Sequence, residues 1–472
     1  MPNPLAYLML ALWPVVTIVL FRRQPADRAL ILSLMVGYLF LPEFPAAFDL
    51  PLLPPISKHT IPALAAFGVC LVKFGPQGLL VPQSPLARVL LAVFIFVPLV
   101  TTMTNTEPVY YGQVGLPGLG IKDAIALMLQ QVMLVMPFLL ARQYLADPGS
   151  QRYFLQALMV FGLIYSLPML VELRLSPQLN NWIYGYYQHS FAQSVRGGGY
   201  RPVVFLYHGL WVSFFIMTAA VAAFALWRQD SRLNTPKTLL CALYLLLVLV
   251  ASKSLGALIL AAVALPCLLF LSRMMQIRIA LLIGLLAIAY PMMKGANIIP
   301  EDRILAAAAS IEDERSRSLD FRFQQERILL DRANRKPVFG WGSWGRNHIL
   351  DPVSGAILTV TDGRWIIAIG VYGWIGFLAE FGLLVTPFFL LWRGSRELGA
   401  DRLSPYIAPM SLILAVNVAD LIPNATLTPL TWLLAGALTG YAERMKVAPS
   451  LSQVAPGTPS TAKREVEWQS IM

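Results

Sequence analysis

The sequence predicts an all-α, polytopic integral membrane protein of about 12–13 transmembrane helices with one large, outward-facing, partly helical loop. Three observations carry that expectation. Of 472 residues, 57% are hydrophobic and only 13% are charged, against about 25% charged in a soluble domain. Apolar runs of roughly 17 to 25 residues, each enough to cross a hydrocarbon core of about 30 Å as a helix, recur along almost the whole chain. Lys and Arg collect in alternate connections between those runs, as they do where positive charge holds a short loop on the cytoplasmic side.

In chain order the expected spans lie near residues 4–21, 28–42, 60–75, 86–102, 122–141, 152–172, 203–227, 238–252, 255–271, 279–293, 365–391, 405–421 and 425–441. The first lacks the basic segment and small-residue cleavage site of a signal peptide and is read as retained. The chain therefore divides into an N-terminal transmembrane bundle of about ten spans over 1–293, a large extracytoplasmic loop over 294–364, C-terminal transmembrane helices over 365–442, and a tail over 443–472. That tail, with APGTPSTAKRE, holds too little apolar surface to fold alone and is expected to be disordered in the cytoplasm.

The basic connections are Arg22, Arg23 and Arg28; Arg142 and Arg152; Arg228, Arg232 and Lys237; Arg273 and Arg278; and Arg393, Arg396 and Arg402. The alternate connections, such as EFPAAFDLPLLPP and TNTEPVYYGQVGLPG, are poor in basic residues and are read as outward. A net charge of +11 follows mainly from this topology and does not indicate nucleic acid. Cys70, Cys241 and Cys267 all fall inside spans, too few and too scattered for a disulfide framework or a zinc site. No metal or cofactor is called for.

Two outward segments break the pattern. RGGGYRPVVFLYHG, residues 196–209, brings Arg196 and Arg201 to the mouth of a span and places His208 one or two turns inside it. The 294–364 loop carries Arg303, Arg315, Arg317, Arg322, Arg327, Arg332, Arg335, Lys336, Arg346 and Arg364. Its SLDFRFQQERILLDRANRK stretch, residues 318–336, reads as an amphipathic helix with Leu319, Phe323, Leu329 and Ala333 on one face and Pro337 ending it. Arg322 with Glu326, Arg327 with Asp331, and Asp331 with Arg335 are spaced for local pairs worth a few tenths of a kcal/mol.

KPVFGWGSWGRNHIL, residues 336–350, fits neither helix nor strand, since Gly340, Gly342 and Gly345 are too dense for one and no alternation supports the other. Trp341 and Trp344 offer flat apolar faces with an N–H donor, suited to a sugar, a lipid headgroup or an interfacial anchor.

In order and spacing the region from about 196 to 440 resembles the O-antigen ligase and O-antigen polymerase-like membrane proteins. SKSLGALIL, residues 252–260, is similar to their Ser-Arg span opening, with Lys253 in the arginine's place. A large loop with an Arg-containing helix follows, then PVFGWG at 337–342, which resembles a P-hydrophobe-hydrophobe-G-x-G turn. GVYGWIGFLAEFGLL at 370–384 matches a span with a Gly-hydrophobe-hydrophobe-Gly step. TVTDGRWI at 359–366 stands at the polar entry to that span, with Thr361-Asp362-Gly363-Arg364 where the family keeps a histidine.

The resemblance implies metal-independent glycosyl transfer at the outer face of a bacterial inner membrane. The donor is a polyprenyl-diphosphate-linked saccharide and the acceptor a saccharide or glycolipid, in O-antigen or exopolysaccharide assembly. Membrane lipids and other polysaccharide-assembly proteins are further candidate partners. Arginine forks bind phosphate oxygens in bidentate fashion and stabilise a leaving diphosphate. The residues expected to bind diphosphate or sugar are Arg196, Arg201, Lys253, Arg322, Trp341, Arg346 and Arg364, and the candidates for the base are His208, His348 and Asp362. A transporter or flippase, or a non-catalytic partner for lipid-linked polysaccharide, is the rival class. Carriers place ionisable residues near the midplane in repeated halves, and the sequence has no such repeat.

Overall fold

Helices fall wherever the apolar runs predict them. The computed structural model describes residues 1–50, 53–76, 78, 81–196, 198–310, 313–399 and 402–451, with side chains described for all of these except 196, 314, 315, 398 and 446–451. In order, the helices are α1 Pro4–Arg23, α2 Ala26–Phe40, α3 Ile61–Phe74, α4 Pro85–Met103, α5 Ile121–Tyr144, α6 Pro148–Leu175, the short α7 Leu179–Tyr184, and α8 Gly209–Gln229. Then come α9 Pro236–Ala251, α10 Leu255–Phe270, α11 Arg273–Gly295, the loop helices α12 Glu301–Ala309 and α13 Asp313–Ala333, α14 Arg364–Leu398, α15 Ile407–Asp420 and α16 Pro429–Leu451. Among the described residues the strands are two small hairpins, β1 Val109–Tyr111 with β2 Val114–Leu116, and β3 Val195–Arg196 with β4 Gly199–Tyr200.

Among the described residues, seven helices are long and apolar enough to cross a membrane: α1, α4, α5, α6, α8, α11 and α14. The shorter apolar helices α3, α9, α10 and α15 have 14 to 16 residues, a rise of about 21–24 Å that falls short of a full hydrocarbon core on its own. The outer faces of long and short helices alike are built for lipid. Leu8, Leu12, Val15 and Val19 on α1, and Leu240, Leu243, Leu247 and Val250 on α9, are all exposed, a density of surface apolar side chains that water does not tolerate over a large patch. The chain is a multi-pass membrane protein.

The bundle closes around α8, whose run from Val212 to Leu226 is buried throughout. Small residues make that placement possible, since Ala219, Ala220, Ala222 and Ala223 let α6, α9 and α10 approach closely. Capping sets the helix starts: Asn3, Ser84, Thr235 and Ser272 each accept a first-turn N–H through a side-chain oxygen.

Polar contacts separate into two ends of the bundle. At one end Lys73 bonds the Phe21 carbonyl, Ser150 bonds Asp27, Arg142 pairs with Glu443, Arg152 pairs with Asp230, and Ser404 bonds Gln151. At the other, loop-rich end, Asn3 bonds Ile183, Tyr184 bonds the Phe40 carbonyl, and Lys58 bonds the Phe205 carbonyl. The arginines expected to mark cytoplasmic loops contribute Arg142 and Arg152 to the first set, where they also tie helices together.

Several sequence expectations change in detail. The span expected from 203 starts at Gly209, because Val204 takes φ 52° and residues 203–208 form a turn. Glu172 on α6 holds that turn through both backbone N–H groups of Val203 and Val204, at 2.8 and 2.7 Å, which stabilises a conformation a β-branched residue otherwise avoids. α16 continues through Leu451, and 452–472 of the expected tail lie outside the described residues. Among the described residues of α13, the ion pairs run to other elements: Glu326 to Lys294, Arg327 to Glu301 and Arg322 to Asp362.

Candidate functional site

Everything that distinguishes the loop-rich end begins at a break in α14. Gly373 has φ 68° inside the helix, so the bonds Trp374→Gly370 and Ile375→Val371 of a continuous helix are lost. The PVFGWG turn replaces them. Trp341 and Gly342 donate N–H bonds to the Gly370 and Val371 carbonyls, both at 2.9 Å, while Trp374 and Ile375 donate to the Pro337 and Val338 carbonyls at 2.8 and 3.4 Å. A break exposed to lipid would leave these groups unsatisfied, so the turn is what permits it. α4 locks the turn from the other side, with Thr101 donating to the Phe339 carbonyl at 2.7 Å and Asn105 donating to the Gly340 carbonyl at 3.0 Å.

This arrangement revises the expectations for Trp341 and Arg346. Trp341 is buried and donates its indole N–H to the Arg332 carbonyl at 2.8 Å, while the Arg332 guanidinium lies 3.4 Å from its ring centroid. Arg346 is 1% exposed. Its guanidinium donates to the Trp341, Pro117 and Glu107 carbonyls at 3.1, 2.7 and 3.0 Å and to Asn105 Oδ1 at 3.5 Å. It is a strut that collects carbonyls, with little donor capacity left for a phosphate. Burial first, then the nearby Arg346 charge, lowers the Lys336 ammonium below its ordinary value.

Four more expected residues are structurally engaged. Arg364 makes a two-point ion pair with Glu380, Nε to Oε1 at 2.6 Å and Nη2 to Oε2 at 2.7 Å. In a straight helix these residues would stand about 24 Å apart, so the pair exists because α14 is bent at Gly373. His348 bonds Thr359 Oγ1 through Nδ1 at 3.0 Å, and burial lowers its pKa. Asp362 pairs with Arg322 at 3.4 Å, both about 30% exposed. Arg196 ends β3, and its side chain lies outside the described residues.

The remaining candidates converge on one strip, residues 199–211. Arg201 is 5% exposed and donates through Nη2 to the Lys253 carbonyl at 3.2 Å. Lys253 is exposed, is held at φ 55°, and sets its ammonium against Gly199. His208 is the N-cap of α8, at its mouth and not inside it, and its Nδ1 accepts the Leu210 N–H at 3.1 Å. That bond places the lone pair on Nδ1, so the neutral ring carries its proton on Nε2 and is a donor. His189 lies against it at 4.9 Å and stacks on Tyr207 at 4.9 Å, and Tyr207 continues to Trp211 at 6.1 Å.

The strip ends on residues that sequence reasoning missed. His59 packs edge-on to Trp211 at 5.7 Å and bonds Glu43 Oε1 through Nε2 at 2.8 Å. Buried Lys58 sits 3.4 Å from Glu43 Oε2. Burial by itself pushes the Glu43 carboxyl up, but His59 and Lys58 together bring it down to about 2. An ionised Glu43 fixes the His59 proton on Nε2 and leaves a lone pair on Nδ1, which is the tautomer of a base oriented by a carboxylate. The sequence signal was an ionisable pair, Lys58 and His59, at the mouth of the 60–75 span.

The chain matches no family model and no curated protein. Three of its four histidines meet the N-terminal mouth of α8 together with Arg201 and Lys253.

Proposed function

We propose that the chain is a glycosyltransferase of lipid-linked saccharides, polymerising or ligating polyprenyl-diphosphate-linked sugars at the outer face of a bacterial inner membrane. In this reading the loop-rich end faces outward and the tail faces the cytoplasm, as the basic connections at the opposite end favour. The single observation that supports it most is the 199–211 strip, with Arg201 and His208 in it, Lys253 bonded to it and the oriented imidazole His59 packed on its end.

The chemistry follows from those groups. The diphosphate of a donor entering from the bilayer lies against Lys253 and Arg201, and His208 Nε2–H donates to one of its oxygens. The acceptor hydroxyl gives its proton to His59 Nδ1 as its oxygen bonds the anomeric carbon, and the bond from that carbon to the diphosphate breaks with the electron pair leaving on phosphate oxygen. Cations held where that charge develops lower the barrier. The base in this reading is His59, in place of the candidates His208, His348 and Asp362.

Two further observations support an enzyme over a carrier. PVFGWG and the Gly370–Gly373 step, the two motifs that resemble the O-antigen ligase and polymerase-like proteins, are bonded to each other. The backbone groups freed at the α14 break are taken by that turn, whereas carriers use such breaks to hold ions and substrates. A deletion strain tests the reading. Its surface polysaccharide, resolved by gel, should lose chain length or attachment and regain both with the intact gene; an unchanged pattern removes the proposal.

A further inference from the structure

A second recess opens at the loop-rich end, away from the 199–211 strip. A cavity of about 270 Å³ lies between the 116–119 turn, Asp123, Trp344 and Arg346. Trp344 is 60% exposed, large for an indole that has a hydrogen-bonding partner. Its Nε1 donates to Asp123 Oδ1 at 3.0 Å, and Asp123 Oδ2 accepts the Gly120 N–H at 2.8 Å. The backbone is strained at Trp344 to hold this pose: it takes φ 63°, with Gly342 and Gly345 beside it at 79° and 81°, where glycine is at ease. A non-glycine residue in that region is disfavoured and persists where its surroundings determine it.

We propose that this recess is a saccharide subsite, with Trp344 as stacking platform and Asp123 as hydroxyl acceptor. The ligand class follows from three features. An open indole face suits the apolar C–H face of a sugar ring. Each Asp123 oxygen accepts one bond in the structure and keeps a further lone pair for a sugar hydroxyl. An anion is disfavoured, because the Asp123 carboxylate lines the recess and Arg346 already donates to three carbonyls and to Asn105. The volume is below the roughly 300–1,000 Å³ of drug-sized sites, so the recess takes a single ring or the end of a chain. The inference rests on the proposed saccharide chemistry for its ligand class, and it separates the place where a sugar is held from the strip where the bond is made.

The experiment reads binding and not transfer. The full chain in nanodiscs is exposed to glucose, galactose, rhamnose and N-acetylglucosamine in turn, with saturation-transfer NMR as the readout. At least one sugar should receive saturation, falling about tenfold in Trp344→Ala and in Asp123→Asn, while Trp344→Phe keeps most of it. Saturation of none of the four, or signals unchanged in both variants, overturns the subsite. Because a variant can lose its fold, wild-type protein supplies a second reading. N-bromosuccinimide oxidation of Trp344, followed by peptide mass spectrometry, should be slowed by the bound sugar; protection by bilayer alone, with no effect of sugar, assigns Trp344 to the lipid interface and overturns the proposal. Sugar binding in a chain whose deletion leaves surface polysaccharide unchanged would keep the subsite and discard the transferase reading; the reverse result would do the opposite.

Discussion

Gly340 and Gly373 sit on two backbones packed against each other, and neither position has room for a methyl group. A Cβ on Gly340 would sit 2.6 Å from the Gly373 nitrogen and 2.5 Å from the Val371 carbonyl, and one on Gly373 would sit 2.3 Å from the Val338 oxygen. Both residues also have positive φ, at 69° and 68°. Either alanine therefore adds a backbone clash to a conformational penalty and breaks up to four hydrogen bonds at the α14 break.

Gly340→Ala and Gly373→Ala should each destabilise the protein by roughly 3 kcal/mol or more. Gly345→Ala is the matched control: its φ is 81° but nothing lies within 4 Å of its Cβ position, so only the conformational term of about 1 kcal/mol remains. Melting temperature in detergent reads the order. Equal losses in all three would mean that the close approach is not what holds the turn.

The apolar runs made the helices legible, and residue order made two motifs visible, but not that those motifs meet. PVFGWG and Gly370–Gly373 are about thirty residues apart, and their four bonds run between backbones, which leaves no letter in the sequence to mark them. His208 read as buried in a span because 203–208 is apolar; the positive φ at Val204 depends on Glu172, on another helix. Arg346 read as a phosphate ligand because its acceptors are carbonyls of 107, 117 and 341, which any sequence could supply.

The Arg364–Glu380 pair predicts a double-mutant cycle. Glu380 is 1% exposed in its side chain, so Arg364→Met leaves a buried carboxylate and should cost about 3–5 kcal/mol, while Arg364→Met with Glu380→Met should recover much of that loss. Additive losses would show that the two residues are not coupled.

Acid should weaken the fold in a defined window. Burial lowers the pKa of His348 and of His189, so the folded state takes up their protons less readily than the unfolded state. Stability is then full above the unfolded value of about 6.5 and is lost as pH falls below it. Glu43 acts lower, its contribution fading only from its ordinary 4.5 towards about 2. Melting between pH 7.5 and 5.5 should show the slope, and His348→Gln should flatten part of it. A slope of opposite sign would contradict the assignment.

Topology is checked with single cysteines in a background without Cys70, Cys241 and Cys267. Tyr110→Cys in β1, 71% exposed, should react with an impermeant maleimide from outside, and Arg232→Cys between α8 and α9 should react only after permeabilisation. Labelling of both from one side would undo the two-ended arrangement.

The most direct test of the central claim is transfer itself. Purified chain, a synthetic polyprenyl-diphosphate disaccharide and a saccharide acceptor are incubated without metal, and released polyprenyl diphosphate is quantified by mass spectrometry. Lys253→Ala, Arg201→Ala and His59→Gln should each slow release by roughly one to two orders of magnitude, with Lys237→Ala at the opposite end unchanged. Release at the wild-type rate in all four variants, or no release by wild-type protein with any lipid-linked donor offered, would contradict the account.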